Sequence, residues 1–250
     1  MQVSRLLSCL VVFLTLIFGS VDAHPQRSNS LPPDSLQILD GGACGYRNIN
    51  VERGVLAGKF DICQPLSDVM AYFRKIGFNF EPRFSLTVTS RRNTNYAAYT
   101  TSYGIFDAAK SKIIIFRKSE RTPWGLPRSK ELFASVVVHE MVHMAISAIL
   151  GSDNSRLSKE WHEFIAYAVQ IETLDHKTRD SLLEKFSGAE PFDNLLLVNP
   201  YIYGLTDPQV FSVRAYKTYR AYGGSRFARK LLRLEFRPPA FLDIFPLEQR

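Results

Sequence analysis

Cysteine, histidine, tryptophan and methionine are scarce in this sequence: its 250 residues contain 3, 5, 2 and 4 of them. Cys9, Cys44 and Cys63 form no Cys-x-x-Cys pair, which argues against a thiolate zinc knuckle or a thioredoxin-type redox centre. There is no internal repeat and no low-complexity block, so a solenoid or propeller is not expected. Acidic residues are also in deficit, 24 against 31 lysines and arginines, giving a net charge of +7. The apolar run at residues 10–18 is too short to cross a bilayer.

That run belongs instead to a signal peptide over residues 1–23. Arg5 precedes it, and Val21-Asp22-Ala23 closes it with small residues where a signal peptidase reads. Cys9 stands before the apolar run and not after it, so lipidation is not expected. The chain is therefore expected to be exported, to a periplasm or to the outside. Removal of Arg5 and Asp22 with the leader leaves the net charge unchanged. Cys44 and Cys63 then remain as an even pair in an oxidising compartment, which predicts one disulfide. Arg226, Arg229, Lys230 and Arg233 recur at near-helical spacing and read as a solvated basic face. Contact with an anionic surface is the alternative; no nucleic-acid partner and no transmembrane segment are expected.

Residues 24–40 are polar, include Pro32-Pro33 and read as a flexible linker. Residues 41–237 are long enough to bury a substantial core as one domain, and 238–250 form a tail. A helix is predicted over 65–76 and strands over 84–90, 96–106 and 112–116. Everything from Lys130 onward reads as helix or loop. Strands first and helices after give an α+β class, a small N-terminal sheet region followed by a mainly helical region.

The densest chemistry lies in His139-Glu140-Met141-Val142-His143. Chance places such a pattern in roughly one chain in 200 of this composition. It sits in a stretch, Lys130–Leu150, without proline or glycine and apolar nearly all round, which predicts a buried helix. Histidines at i and i+4 point the same way, where one metal ion can take both. Buried imidazoles without partners would be costly, and a metal supplies them.

A second helix is predicted over 155–174, capped by Asp153, Asn154 or Ser155, with Gly151 closing the first. Its polar candidates are Glu160, His162 and Glu163. Glu163 shares a face with Ala166 and Tyr167 and is the expected third ligand, with Glu160 second. His162 is rotated away and reads as a surface or cleft histidine.

His139–His143 with Glu163 on the next helix resembles the small secreted bacterial zincin metallopeptidases of the gluzincin branch, peptidase-MA-like. Trp161-His162-Glu163-Phe164-Ile165-Ala166-Tyr167 resembles their third-ligand segment. Gly104-Ile105-Phe106-Asp107 and Lys112–Phe116 resemble the turn and strand before the zinc helix, and residues 216–232 the closing helices. Phe164 stands where many relatives have glycine, and Tyr167 where an acidic residue often orients a zinc histidine. There is no Gly-x-Met-Glu-Asn segment, which weakens an aminopeptidase reading. Ile146 and Ile149 hold the metzincin glycine and histidine positions, which removes that branch.

The resemblance implies a zincin-like domain in which zinc, held by His139, His143 and Glu163, serves hydrolysis of a peptide or protein substrate with Glu140 as general base. Tyr216 is the first choice as oxyanion donor, ahead of Tyr219, Tyr222 and His162. The strand at residues 113–115 would bind an extended peptide. The alternative is a catalytically inactive zincin-fold binding module acting on a cell-envelope or host partner.

Overall fold

The computed structural model describes residues 44–51, 61–89, 103–116 and 122–236, all within one compact unit, Leu36–Arg250. The expected signal peptide, the linker and the C-terminal tail lie outside the described residues. Four strands, β1 (Ile49–Val51), β2 (Phe84–Thr89), β3 (Gly104–Asp107) and β4 (Lys112–Phe116), form one sheet in the order β1-β2-β4-β3. β1, β2 and β4 run parallel and β3 antiparallel to β4. The α+β class holds as a small mixed sheet beside a mainly helical region.

Helix α1 (Cys63–Lys75) connects the parallel β1 and β2, so one helix interrupts the expected strand block. It begins where the Asp61 carboxylate accepts the Cys63 backbone N–H at 2.8 Å and ends at Gly77, whose φ of 88° a side chain would oppose. The Cys44–Cys63 disulfide ties its first residue to the segment before β1. A bridge closing a loop of this length stabilises by about 3 kcal/mol on the chain-entropy model.

β4 is interior to the sheet, and Ile113, Ile114, Ile115 and Phe116 are all buried, as a strand covered on both faces requires. It is therefore not the peptide-binding edge that the sequence suggested, because β2 and β3 already occupy both its sides. Among the described residues, β3 is the strand at that edge. Gly104–Asp107, implied to be a turn by the resemblance, is this strand and includes the end of the strand expected over 96–106, of which residues 96–102 lie outside the described residues; the turn to β4 lies in the single 3-10 turn Ala108–Lys110.

Helix α2 (Lys130–Leu150) starts where Ser129 Oγ accepts the Leu132 N–H at 3.1 Å and stops at Gly151, φ 53°. It packs against the sheet, α1 and α3 (Lys159–Glu172); α3 in turn packs on α6 (Pro208–Ala221). Surrounded in this way, α2 buries Val137, Met141, Val142, Ala145 and Ile146 completely. α3 begins later than expected, at Lys159, because residues 151–156 close into 3-10 turns and Leu157 is buried before the helix starts. Ser158 takes the cap position expected of Asp153, Asn154 or Ser155.

The remaining helices are α4 (His176–Lys185), α5 (Pro200–Leu205) and α7 (Ser225–Leu232). Asn199 caps α5 by accepting the Ile202 N–H at 2.9 Å, and Pro200 occupies its first turn. α7 buries Phe227, Ala228, Leu231 and Leu232 and exposes Arg226, Arg229, Lys230 and Arg233.

Candidate metal centre

One helical turn separates His139 from His143 on α2, and both imidazoles face α3 at Glu163. His139 Nε2 and His143 Nε2 stand 3.1 Å apart, and Glu163 Oε2 lies 3.3 Å from the first and 3.8 Å from the second. A tetrahedral ion with bonds of about 2.0–2.1 Å separates its ligand atoms by roughly 3.4 Å. The three observed separations bracket that value. The buried group His139, His143 and Glu163 could thus hold a metal ion. Glu160, the second choice from sequence, turns away, is buried and accepts Ser158 Oγ–H at 2.5 Å.

A chain of hydrogen bonds fixes which His139 nitrogen faces the site. Ser135 Oγ donates to the Leu132 carbonyl at 2.9 Å, so its oxygen is left to accept Gln170 Nε2–H at 3.2 Å. That orients Gln170 Oε1 toward His139 Nδ1, 3.1 Å away, and requires the Nδ1–H tautomer. The Nε2 lone pair then points at the metal position. Gln170 thereby takes the orienting role for which Tyr167 seemed to leave no residue. Tyr167 instead lays its ring against the His139 imidazole, with centroids 4.5 Å apart.

Without a metal the group is electrostatically uneven. Burial drives the His143 imidazole down to about 3. Burial would lower His139 too, but the Glu163 carboxylate beside it outweighs this and raises it. Burial acts to raise Glu163, yet the two imidazoles hold it well below the usual carboxylate range.

Glu140 lies on the same helix between the two histidines, and burial pushes its carboxyl up to about 7. It accepts the Phe106 backbone N–H from β3. Gly104, also on β3, is pressed against it: a Cβ there would stand 2.7 Å from Glu140 Cγ and Oε1. A glycine is needed at this position for space and not for an unusual φ.

Residues 49–237 match a family described only as one of unknown function, DUF6639. The chain belongs to this family. No curated protein and no solved structure matches it. The DUF6639 match spans the whole candidate centre, from Gly104 on β3 to Tyr203 on α5.

Tyr216, the first choice from sequence as oxyanion donor, is not part of this DUF6639 centre. Its hydroxyl donates to Glu172 Oε2 at 3.1 Å, at the C-terminal end of α3, where Arg220 Nη1 also reaches that oxygen at 3.4 Å. Tyr219 is engaged with Tyr72, hydroxyl to hydroxyl, at 3.1 Å, and Tyr222 is exposed. The phenol that arrives is Tyr203, whose hydroxyl hydrogen-bonds to Glu163 and whose pKa burial and that carboxylate raise far above normal. Sequence reasoning missed it because α5 has one and a half turns and no apolar period. His162 stacks on His143 at 6.3 Å between centroids, with its own hydrogen bonds to the backbone of Asn154 and Leu157.

His139, Glu140, His143, His162, Glu163 and Tyr203 line one cleft of about 480 Å³. Its apolar wall includes Phe106, Val136 and Trp124, the last held by Nε1–H donation to Ser212 Oγ at 2.8 Å.

Proposed function

We propose that this DUF6639 protein is an exported, zinc-dependent peptidase of zincin-like architecture. The observation that carries the reading is the convergence of His139, His143 and Glu163, whose ligand atoms lie within 4.8 Å of one another beside the buried Glu140. Two imidazoles and one carboxylate are the donor set of catalytic zinc sites that keep a fourth position open. The antiparallel strand β3 next to the metal-bearing helix supports the architecture, and the disulfide supports an oxidising compartment.

His139, His143 and Glu163 would hold the zinc, which supplies Lewis acidity toward a water and a peptide carbonyl. Gln170 keeps the His139 Nε2 lone pair aimed at the ion. Glu140 accepts the proton of the attacking water on a carboxylate oxygen and delivers it to the leaving amine nitrogen. Tyr203 donates its hydroxyl proton in a hydrogen bond to the developing oxyanion, a role first assigned to Tyr216. β3 offers backbone groups to an extended peptide laid along the cleft.

The test joins metal content with hydrolysis. The purified protein should bind about one zinc per chain. His143→Ala and Glu163→Gln should lose it, and Glu160→Gln should keep it. Glu140→Gln should retain zinc and lose chelator-sensitive peptide hydrolysis by a factor on the order of 100 or more. Zinc binding without any chelator-sensitive cleavage would favour the binding-module alternative.

A further inference from the structure

A basic patch lies away from the cleft. Arg226, Arg229, Lys230 and Arg233 are exposed along α7, and Arg74 and Lys75 are exposed in the last turn of α1. The fold brings the two groups together. A Cβ at Gly77, which ends α1, would stand 3.8 Å from Arg233 Nη2 and 3.9 Å from Arg229 Cζ. Arg233 pairs with Glu235 at 3.5 Å. Among the described residues, the other five enter no ion pair. None of the six lines the cleft. α7 docks through Phe227 on Trp161 and Phe164 of α3, whereas Glu163 leaves α3 by another face, toward the cleft.

Helix dipoles account for part of this pattern. Cations in the last turns of α1 and α7 face the negative ends of those dipoles. Arg226 is not explained in that way, because it stands in the first turn of α7, where the dipole opposes a cation. Like charges gathered without carboxylates also repel one another in the folded state, a cost that an anionic partner removes. From Arg226 to Arg233 the face runs about 10 Å along α7, broader than a single phosphate. Guanidinium forks match phosphate oxygens in pairs. Tyr222 borders the patch, 46% exposed, with its ring against Phe227 at 5.3 Å between centroids. An aromatic with one side spent on the core and the other open suits the headgroup level of a membrane. Single-strand nucleic-acid binders instead stack successive bases on several aromatics, and among the described residues this face exposes Tyr222 alone.

We propose that the face formed by α7 and the end of α1 docks on the phosphate headgroups of an anionic lipid bilayer. α7 does not insert, because its apolar residues Phe227, Ala228, Leu231 and Leu232 are buried in the core. Attachment is therefore electrostatic, reversible and sensitive to salt. It uses no residue of the cleft and needs neither metal nor hydrolysis, so it stands or falls apart from the peptidase reading.

The experiment sediments the purified protein with vesicles of phosphatidylcholine alone and of phosphatidylcholine mixed with phosphatidylglycerol, with and without a chelator. The protein should bind the mixed vesicles only, equally in both conditions, and come off as salt is raised well above physiological strength. Two variants on separate helices, Arg226→Gln with Lys230→Gln and Arg74→Gln with Lys75→Gln, should each lower vesicle affinity by more than about ten-fold. Lys130→Gln with Lys177→Gln removes the same charge from exposed positions elsewhere and should leave it nearly unchanged. Thermal denaturation checks that every variant is folded, and the two test variants share no residue, so the loss of one to misfolding leaves the other decisive. Equal binding to neutral vesicles would overturn the proposal, as would an equal loss in Lys130→Gln with Lys177→Gln. Retention on heparin or single-stranded DNA without any vesicle binding would overturn it too.

Discussion

Gly104→Ala adds one methyl group aimed at Glu140. The backbone there is ordinary strand, so the substitution acts by contact alone. The new Cβ would meet Glu140 Cγ and Oε1 at 2.7 Å and Cδ at 2.9 Å, about 0.7 Å short of ordinary van der Waals separation. β3 is hydrogen-bonded to β4 throughout its length, so the glutamate has to give way. A reacting group displaced by about 1 Å can lose on the order of 100-fold in rate. We expect kcat to fall between about 10- and 100-fold with KM little changed. Zinc content should stay near one per chain, because no ligand is touched. Overpacking should cost about 1–3 kcal/mol, and a domain of this size loses about 2–4 °C in Tm per kcal/mol. Gly188→Ala is the control, since nothing lies within 4 Å of its added Cβ. Peptide hydrolysis, metal analysis and thermal denaturation are measured on both proteins. An unchanged kcat in a Gly104→Ala protein that keeps its zinc would refute the assignment of Glu140 as the proton carrier. Loss of zinc would show that the methyl acts through the ligands instead.

Three further outcomes are expected. Gln170→Ala frees the His139 ring and should weaken zinc affinity by about 10–100-fold in a chelator competition; unchanged affinity would remove its orienting role. Tyr203→Phe should lower kcat by about 10- to 100-fold with zinc retained, whereas Tyr216→Phe should leave kcat intact; the reverse pattern would restore the choice made from sequence. In the metal-free protein burial raises the Glu140 carboxyl from its ordinary 4.5 to about 7, so between those values the folded chain binds the extra proton. Its contribution to stability therefore falls as pH rises from about 4.5 to 7. Denaturant titrations should show metal-free Glu140→Gln gaining on wild type across that window, and a difference flat with pH would contradict the burial of an ionising carboxyl.

What the sequence made legible followed from local periodicity. α2 has the bounds of the stretch read from sequence, because 21 residues free of proline and glycine run up to Gly151, while its Ser129 cap is seen only in the structure. The approach of Glu163 to the two histidines required only that two neighbouring helices pack along their apolar faces. Gln170 was also within reach, since it lies two turns after Glu163 on the same face of α3, but its role depends on Ser135 across the interface. Sheet order was not legible: a parallel crossover from β1 through α1 to β2 is set by long-range packing, and a run of isoleucines reads alike at a centre or an edge. Tyr203 depended on a chain path through Asn199 and Pro200 that no periodicity announces. Tyr216 looked catalytic by its place downstream, yet one α6 helix can present only one of its faces to the centre, and that face does not carry Tyr216.

Helix α2 is long and apolar enough to cross a membrane, although in the fold it is a core helix. Before its neighbours have closed around it, such a segment can be taken for a membrane span by any insertion machinery it meets. His139, Glu140 and His143 fall near its midpoint, where ionisable side chains resist residence in lipid, at about 2.5–3.5 kcal/mol for a single aspartate, lysine or arginine. The same three side chains that converge on the candidate centre thus make this helix, for all its apolar length, a poor resident of a bilayer.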